Sequence, residues 1–260
     1  MLLCDFHVHK YDCFIAERML DAAVRNFVAI GRQNGCISPV GVLFLAESGM
    51  YDWFGQLGDG KVPANWRVEG TGGNASCILR RDQDRIVVLA GRQIVTGEQV
   101  EILSLCSDVR VPDGLALMDT VERIREVGGL PVLPWGVGKW VGRRKHLLEE
   151  FLAHCADPVL LGDNGGRPAG WGEPPFFVWA RRVGRAILPG SDCLPLPGEE
   201  KRTGGYCGRI DRALPRHDIA AWFRTTLANL PAMREAGHRV SPIVFLKNQL
   251  RLRLQRWGRA

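Results

Sequence analysis

Two histidines one residue apart close the first apolar run of the chain, Leu2-Leu3-Cys4-Asp5-Phe6-His7-Val8-His9. Side chains alternate faces along a strand, so His7 and His9 would share one face. Two neutral imidazoles side by side at a strand end form half of a metal site. The rest must come from elsewhere in the chain. Polar residues close the other apolar runs too: Glu47 after residues 40–46, Gln93 after 86–90, Asp163 and Asn164 after 159–161, and Asp192 after 186–191.

The elements that would bring these groups together are legible as an alternation. Met19, Leu20, Ala23, Val24, Phe27 and Val28 recur at helical spacing, and Gly31 can end that helix. Residues 40–46 are continuously apolar, which suits a strand covered on both faces. Residues 51–78 read as a long loop with a strand starting near Ala75. Strands are expected at 86–89, 93–96 and 99–105, with a turn at Thr96-Gly97-Glu98. A helix follows around Val121, Ile124 and Val127, capped by Asp113 or Asp119 and stopped by Gly128-Gly129. Leu130 to Trp135 resumes as strand, 143–155 as helix, 159–161 as strand, 176–185 as helix and 186–192 as strand. A Gly- and Pro-rich loop over 193–208 leads to an amphipathic helix over 217–230. This pattern predicts a parallel sheet with helices outside, open or closed into a barrel. In a barrel, the strand ends that carry the polar groups converge on one mouth.

A chain of 260 residues has room for one large α/β domain, and it contains no apolar run of about 18 residues that could span a membrane. Asp5 and His7 interrupt any export-signal pattern, so a cytoplasmic location is expected. The eight cysteines include no C-x-x-C pair and read as reduced, mostly buried thiols. Net charge is +6, and residues 239–260 carry six basic and no acidic side chains. The body, 1–238, is therefore balanced at 28 basic against 28 acidic residues, which gives no reason to expect nucleic-acid binding there.

Several of these segments resemble a known family. Asp5-Phe6-His7-Val8-His9 resembles the first motif of the PHP (polymerase and histidinol phosphatase) superfamily. Ala90-Gly91-Arg92-Gln93 with its hairpin, the Glu122 to Trp135 helix-Gly-Gly-strand segment, and Gly190-Ser191-Asp192 are similar to later motifs of that family, in order. Amidohydrolases share the His-x-His start and a late Asp and stand close by. The resemblance implies a distorted (β/α)7 TIM-like barrel over 1–238, up to three divalent metals, and phosphoester hydrolysis. Three positions depart from the pattern. Gln93 stands where the family has a bridging Glu, Trp135 where it has a His, and Leu194 where it has the final His. A neutral amide offsets no repulsion between two cations, and Trp and Leu cannot ligate.

What the resemblance leaves is a site for one ion on His7, His9 and Asp192, with Gln93 nearby. That donor set suits Zn²⁺, Mn²⁺ or Fe²⁺ with positions open for water. Glu47, Glu98, Glu101 or Asp163 would supply a fourth ligand or a general base, Glu47 and Asp163 being the catalytic candidates. A small phosphorylated substrate would meet Lys139, Arg143, Arg167, Arg202 and Arg209, the cations near the expected mouth. A barrel that has lost catalysis and serves as a scaffold is the alternative.

The basic end, 239–260, forms a helical extension. Leu246, Leu250, Leu254 and Trp257 fall on one helical stripe flanked by Lys247, Arg251, Arg253 and Arg256. Such a helix either docks on the body through that stripe or meets an acidic partner or an anionic membrane surface.

Overall fold

The computed structural model describes residues 1–49, 51–70, 73–155 and 159–257, with side chains to Gln255. The first elements are β1 (Leu2–Val8), α1 (Ala16–Gln33), β2 (Val40–Leu45), β3 (Glu47–Ser48) and α2 (Trp53–Gly58). A run of strands follows: β4 (Arg67–Gly70), β5 (Ser76–Arg81), β6 (Asp84–Leu89), β7 (Gly91–Val95) and β8 (Glu101–Leu105). Helix and strand then alternate through α3 (Leu117–Glu126), β9 (Leu130–Pro134), α4 (Arg143–His154), β10 (Leu160–Asn164), α5 (Pro175–Arg182) and β11 (Ile187–Gly190). The chain finishes with β12 (Tyr206–Ile210), α6 (Ile219–Ala228), β13 (Arg234–Gly237) and α7 (Pro242–Trp257).

The strands form two mixed sheets, in the orders β13-β12-β1-β2-β6-β5-β4 and β11-β10-β9-β8-β7-β3. Among the described residues the expected closed barrel is not there. Strand β1 explains why: β2 pairs with it in parallel on one edge and β12 in antiparallel on the other. Both its backbone edges are taken, so β11 can approach β1 only near the strand's end, where the Asp192 N–H donates to His7 O at 2.9 Å. The antiparallel β12 starts at the end of the segment read as a loop, and β13 follows the 217–230 helix in a stretch given no element from the sequence. Their short length gave no alternation to find.

Three apolar clusters hold the layers. One lies between the sheets, with Leu2, Cys4, Phe6, Phe44, Val87, Leu103, Val132 and Leu188 plugged by Phe223 and Leu227 of α6. A second joins the outer face of the first sheet to α1, through Leu3, Val8, Leu20, Phe27 and Leu43. A third packs Ile102, Leu133 and Leu161 under α3, α4 and α5. The helix over 117–126 is capped neither by Asp113 nor by Asp119. Asp113 accepts the Val95 N–H at 2.8 Å, and Glu98 accepts the Leu117 N–H at 3.1 Å at the helix start.

The alternation of β1 contains a break. Leu3 and Val8 both face α1 although they are five positions apart, an odd step that regular alternation would send to opposite faces, and the pairing with β2 shifts register between Asp5 and Val8. A bulge there re-aims the side chains beyond it. Phe6 points between the sheets, and after the bulge His7 and His9 take that side.

Helix α7 lies against the body through a face other than the expected stripe. Asn248 is buried and donates to Glu199 at 3.0 Å, Arg251 donates to Pro197 O at 3.0 Å, and Phe245 meets the Trp171 ring at 5.3 Å. Leu246, Leu250 and Leu254 stand 61–65% exposed on the opposite side.

Candidate metal centre

The strand ends bring the first and last polar groups of the chain together. His7 Nε2 and His9 Nε2 are 3.0 Å apart, with their rings tilted by 55°. Asp192 Oδ1 lies 3.6 Å from the first and 3.4 Å from the second. Gln93 Oε1 is 3.3 Å from His7 Nε2. The His7, His9 and Asp192 donor atoms all fall within 4.8 Å of one another. A cation about 2.1 Å from each of two donors holds them about 3.0 Å apart at a right angle and about 3.4 Å apart at the tetrahedral angle. The observed separations therefore fit donors that converge on a single point.

The protonation states suit a cation as well. Burial pushes the His7 imidazole below its ordinary pKa, which leaves a lone pair for ligation. Against the cost of burial, the edges of His7 and His9 and the charge of Lys139 hold the Asp192 carboxyl well below the usual range. Asn164 Nδ2 donates to Asp192 Oδ2, so Oδ1 is the oxygen left for the imidazoles. Asp192 adopts a left-handed backbone, φ 40°, a conformation that costs a non-glycine residue on the order of 1–3 kcal/mol and clusters at functional sites.

Three residues shape the site from behind. Asp5 is fully buried and accepts N–H bonds from Ser191 at 2.7 Å, Gly204 at 2.8 Å and His7 at 3.3 Å. Burial pushes its carboxyl up to about 6 although those bonds pull the other way. Tyr11 stacks on His9 with centroids 5.1 Å apart and meets Tyr51 edge-on at 5.9 Å. Gly190 lets β11 reach β1: a Cβ there would sit 2.4 Å from His7 N and 2.5 Å from His7 Cβ. Both atoms are fixed by a paired strand, so Gly190→Ala is expected to destabilise the protein by about 1–3 kcal/mol, read as a lowered urea midpoint at unchanged slope.

The cations and carboxylates expected at the mouth are distributed unevenly. Lys139 is there, paired with Glu101 and acting on Asp192. Arg167 is buried in a two-pronged pair with Asp163, at 2.8 and 2.6 Å, and Asp163 also accepts from Tyr206 at 2.7 Å. Arg202 pairs with Glu199 at 2.7 Å, and Arg143 is exposed at the start of α4. Arg209 lies opposite Leu3, four positions before His7 on β1 or roughly 13 Å away along the strand, and pairs with Asp211. Glu47 accepts the Trp53 and Phe54 N–H groups at the start of α2 and faces Arg92 at 3.5 Å. Burial nevertheless raises its pKa. The sequence marks Asn164 as a polar group at a strand end but gives it no role, and it does not single out Asp5 or Tyr11 as site residues. Of those two, Asp5 carries a signal there, as the lone charge inside an apolar run.

Taken whole, the chain is similar in fold to PsfC from Pseudomonas syringae PB-5123. The match covers 97% of this chain and 98% of PsfC at 15% identity, with a TM-score of 0.55. Endonuclease Q in complex with a 27-mer duplex carrying an abasic lesion matches at 10% identity and a TM-score of 0.50, over 80% of this chain and 52% of that one. Endonuclease Q from Pyrococcus furiosus matches at 11% and a TM-score of 0.49. The chain thus spans about half the length of endonuclease Q. No family model and no curated protein matches the sequence.

Proposed function

We propose that this chain is a PHP-like, metal-dependent hydrolase of phosphoesters that uses one divalent cation on His7, His9 and Asp192. The convergence of those three donors at the spacing of a single ion carries the reading. The likeness to PsfC and endonuclease Q supports a PHP-type fold, and the endonuclease Q complex, with its duplex substrate at the active site, supports phosphoester chemistry. A Zn²⁺, Mn²⁺ or Fe²⁺ ion supplies a Lewis acid that activates water at neutral pH. The protein's own part is positional. Asn164 fixes which Asp192 oxygen faces the imidazoles, Tyr11 covers His9, and Gln93 offers a neutral fourth oxygen. Lys139, steadied by Glu101, holds the anionic ester beside them. In this reading Glu47 and Asp163 serve structure, because backbone donors and guanidinium groups already occupy their oxygens.

A binding protein without turnover is the second reading, favoured by Trp135 and Leu194 at positions where the family carries histidines. Metal analysis after Zn²⁺ or Mn²⁺ loading, paired with hydrolysis of bis(4-nitrophenyl) phosphate, tests both. About one ion per chain with turnover, both lost in His7→Ala, is the expected result. Protein that stays metal-free overturns the metal site, and metal without turnover selects the binding protein.

A further inference from the structure

A cavity of about 450 Å³ opens around the segment that follows β9, in the roughly 300–1,000 Å³ range of small-molecule sites. Its walls are aromatic: Trp135, Trp140, Trp171 and Phe176. Those walls are fixed. Trp140 packs edge-on against Phe176 at 5.3 Å and Phe177 at 5.4 Å, and Phe245 of α7 braces Trp171 at 5.3 Å. Arg167 closes one side, already bound to Asp163 and reaching Trp171 O at 3.4 Å.

Strand register locates this cavity. Gly162 on β10 pairs with Pro134 on β9, and Asn164 on β10 pairs with Gly190 on β11. Gly136, part of the cavity lining, therefore stands level with Gly190, which touches His7. Two strand spacings, about 10 Å, separate it from β11, whose end leads into Asp192. Lys139 joins the two places. Its methylene chain lies over Gly136, where a Cβ would meet Lys139 Cδ at 2.5 Å, and its ammonium sits with Glu101 at the centre's edge.

We propose that this cavity binds a flat aromatic ring of the substrate, while Lys139 and the metal centre take the phosphoryl group about 10 Å away. The phosphoryl half rests on the hydrolase reading, and the ring half does not. Rigid aromatic faces gain most from stacking on another ring, which is worth roughly 1–3 kcal/mol per ring. The ring is the base of a nucleotide, because the ring of an aryl phosphate hangs directly on the ester oxygen and stands too close to phosphorus to span the gap between cavity and metal centre.

Calorimetry on the full chain with phenyl phosphate, adenosine monophosphate and propyl phosphate tests the proposal. Adenosine monophosphate should bind about tenfold or more tightly than propyl phosphate, and phenyl phosphate, whose ring cannot reach the cavity from the metal centre, should bind like propyl phosphate. Gly172 lines the cavity with nothing within 4 Å of its Cβ position, so a side chain can start there without a clash, and Gly172→Phe is chosen to occupy the space. This variant should erase the preference and leave propyl phosphate binding unchanged. Equal binding of all three compounds, or a preference that survives Gly172→Phe, overturns the proposal. Quenching of tryptophan emission by adenosine and by phenol, in wild type and in His9→Ala, separates the two readings. Quenching that persists in His9→Ala supports the cavity whatever becomes of the metal. Loss of quenching by both rings in a wild type that loads metal normally overturns the cavity alone.

Discussion

Asp192→Asn should abolish stoichiometric metal binding, although the substitution preserves size and keeps a carbonyl oxygen. The reason lies in Asn164. Its Nδ2 donates to Asp192 Oδ2, and Oδ1 faces His7 and His9 at 3.6 and 3.4 Å. An amide at position 192 must turn its oxygen toward the Asn164 donor, which leaves its NH₂ facing the imidazoles. An NH₂ has no lone pair to give a cation. The substitution therefore removes the charge and misdirects the surviving acceptor together. A loss of affinity above about 100-fold is expected, beyond the roughly 10–100-fold typical of an outer-shell partner. Asn164→Ala should fall inside that smaller range, because it frees the carboxylate to rotate without deleting it. Calorimetric titration with Zn²⁺ reads both. Stoichiometric metal in Asp192→Asn would place the ion elsewhere.

How the sequence foretold this site is clearest at β1. The His-x-His spacing announced that two imidazoles share a face, and their ring centroids are indeed 4.9 Å apart. Which face they share was hidden. Simple alternation from Leu3 puts His7 toward α1, and the bulge between Asp5 and Val8 turns it inward instead. A bulge depends on the partner strand, and no local pattern reports it. The same limit hid the open architecture. Alternating strands and helices suggested a parallel barrel, but β12 enters antiparallel beside β1 and occupies the edge that closure needs. At the opposite end, α7 was legible as a helix while its docked face was not. One buried amide, Asn248, and one ring, Phe245, anchor it, and the leucine stripe that looked ready to dock faces out. The cations followed the same logic. Lys139 and Arg209 look alike in a sequence, and register alone sends one to the site and the other to the start of the strand.

Asp5→Ala is the substitution expected to cost most in stability. The carboxylate is fully buried and accepts three backbone N–H bonds, from Ser191 beside β11, from Gly204 after the 199–202 turn and from His7 in its own strand. These donors belong to separate segments, so one side chain ties β1 to both. Alanine removes the acceptor and leaves three buried N–H groups unmatched. Each unmatched group costs about 1–3 kcal/mol, and a combined loss on the order of 4 kcal/mol is a large share of the roughly 5–15 kcal/mol that holds a domain together. Burying the charge is itself unfavourable, as the raised carboxyl pKa of about 6 records, and that offsets part of the loss. Asp5→Asn keeps one acceptor oxygen but turns an NH₂ toward N–H donors, so it should fall between alanine and wild type. Urea unfolding of the three metal-free proteins tests this order. Position supplies a second readout: His7 is a proposed ligand and Ser191 precedes another, so Asp5→Asn should weaken Zn²⁺ binding although residue 5 offers no atom to the metal. Wild-type stability in Asp5→Ala would mean that Gly190, packed on His7, and the Asp192 N–H bond to His7 O hold the seam without it.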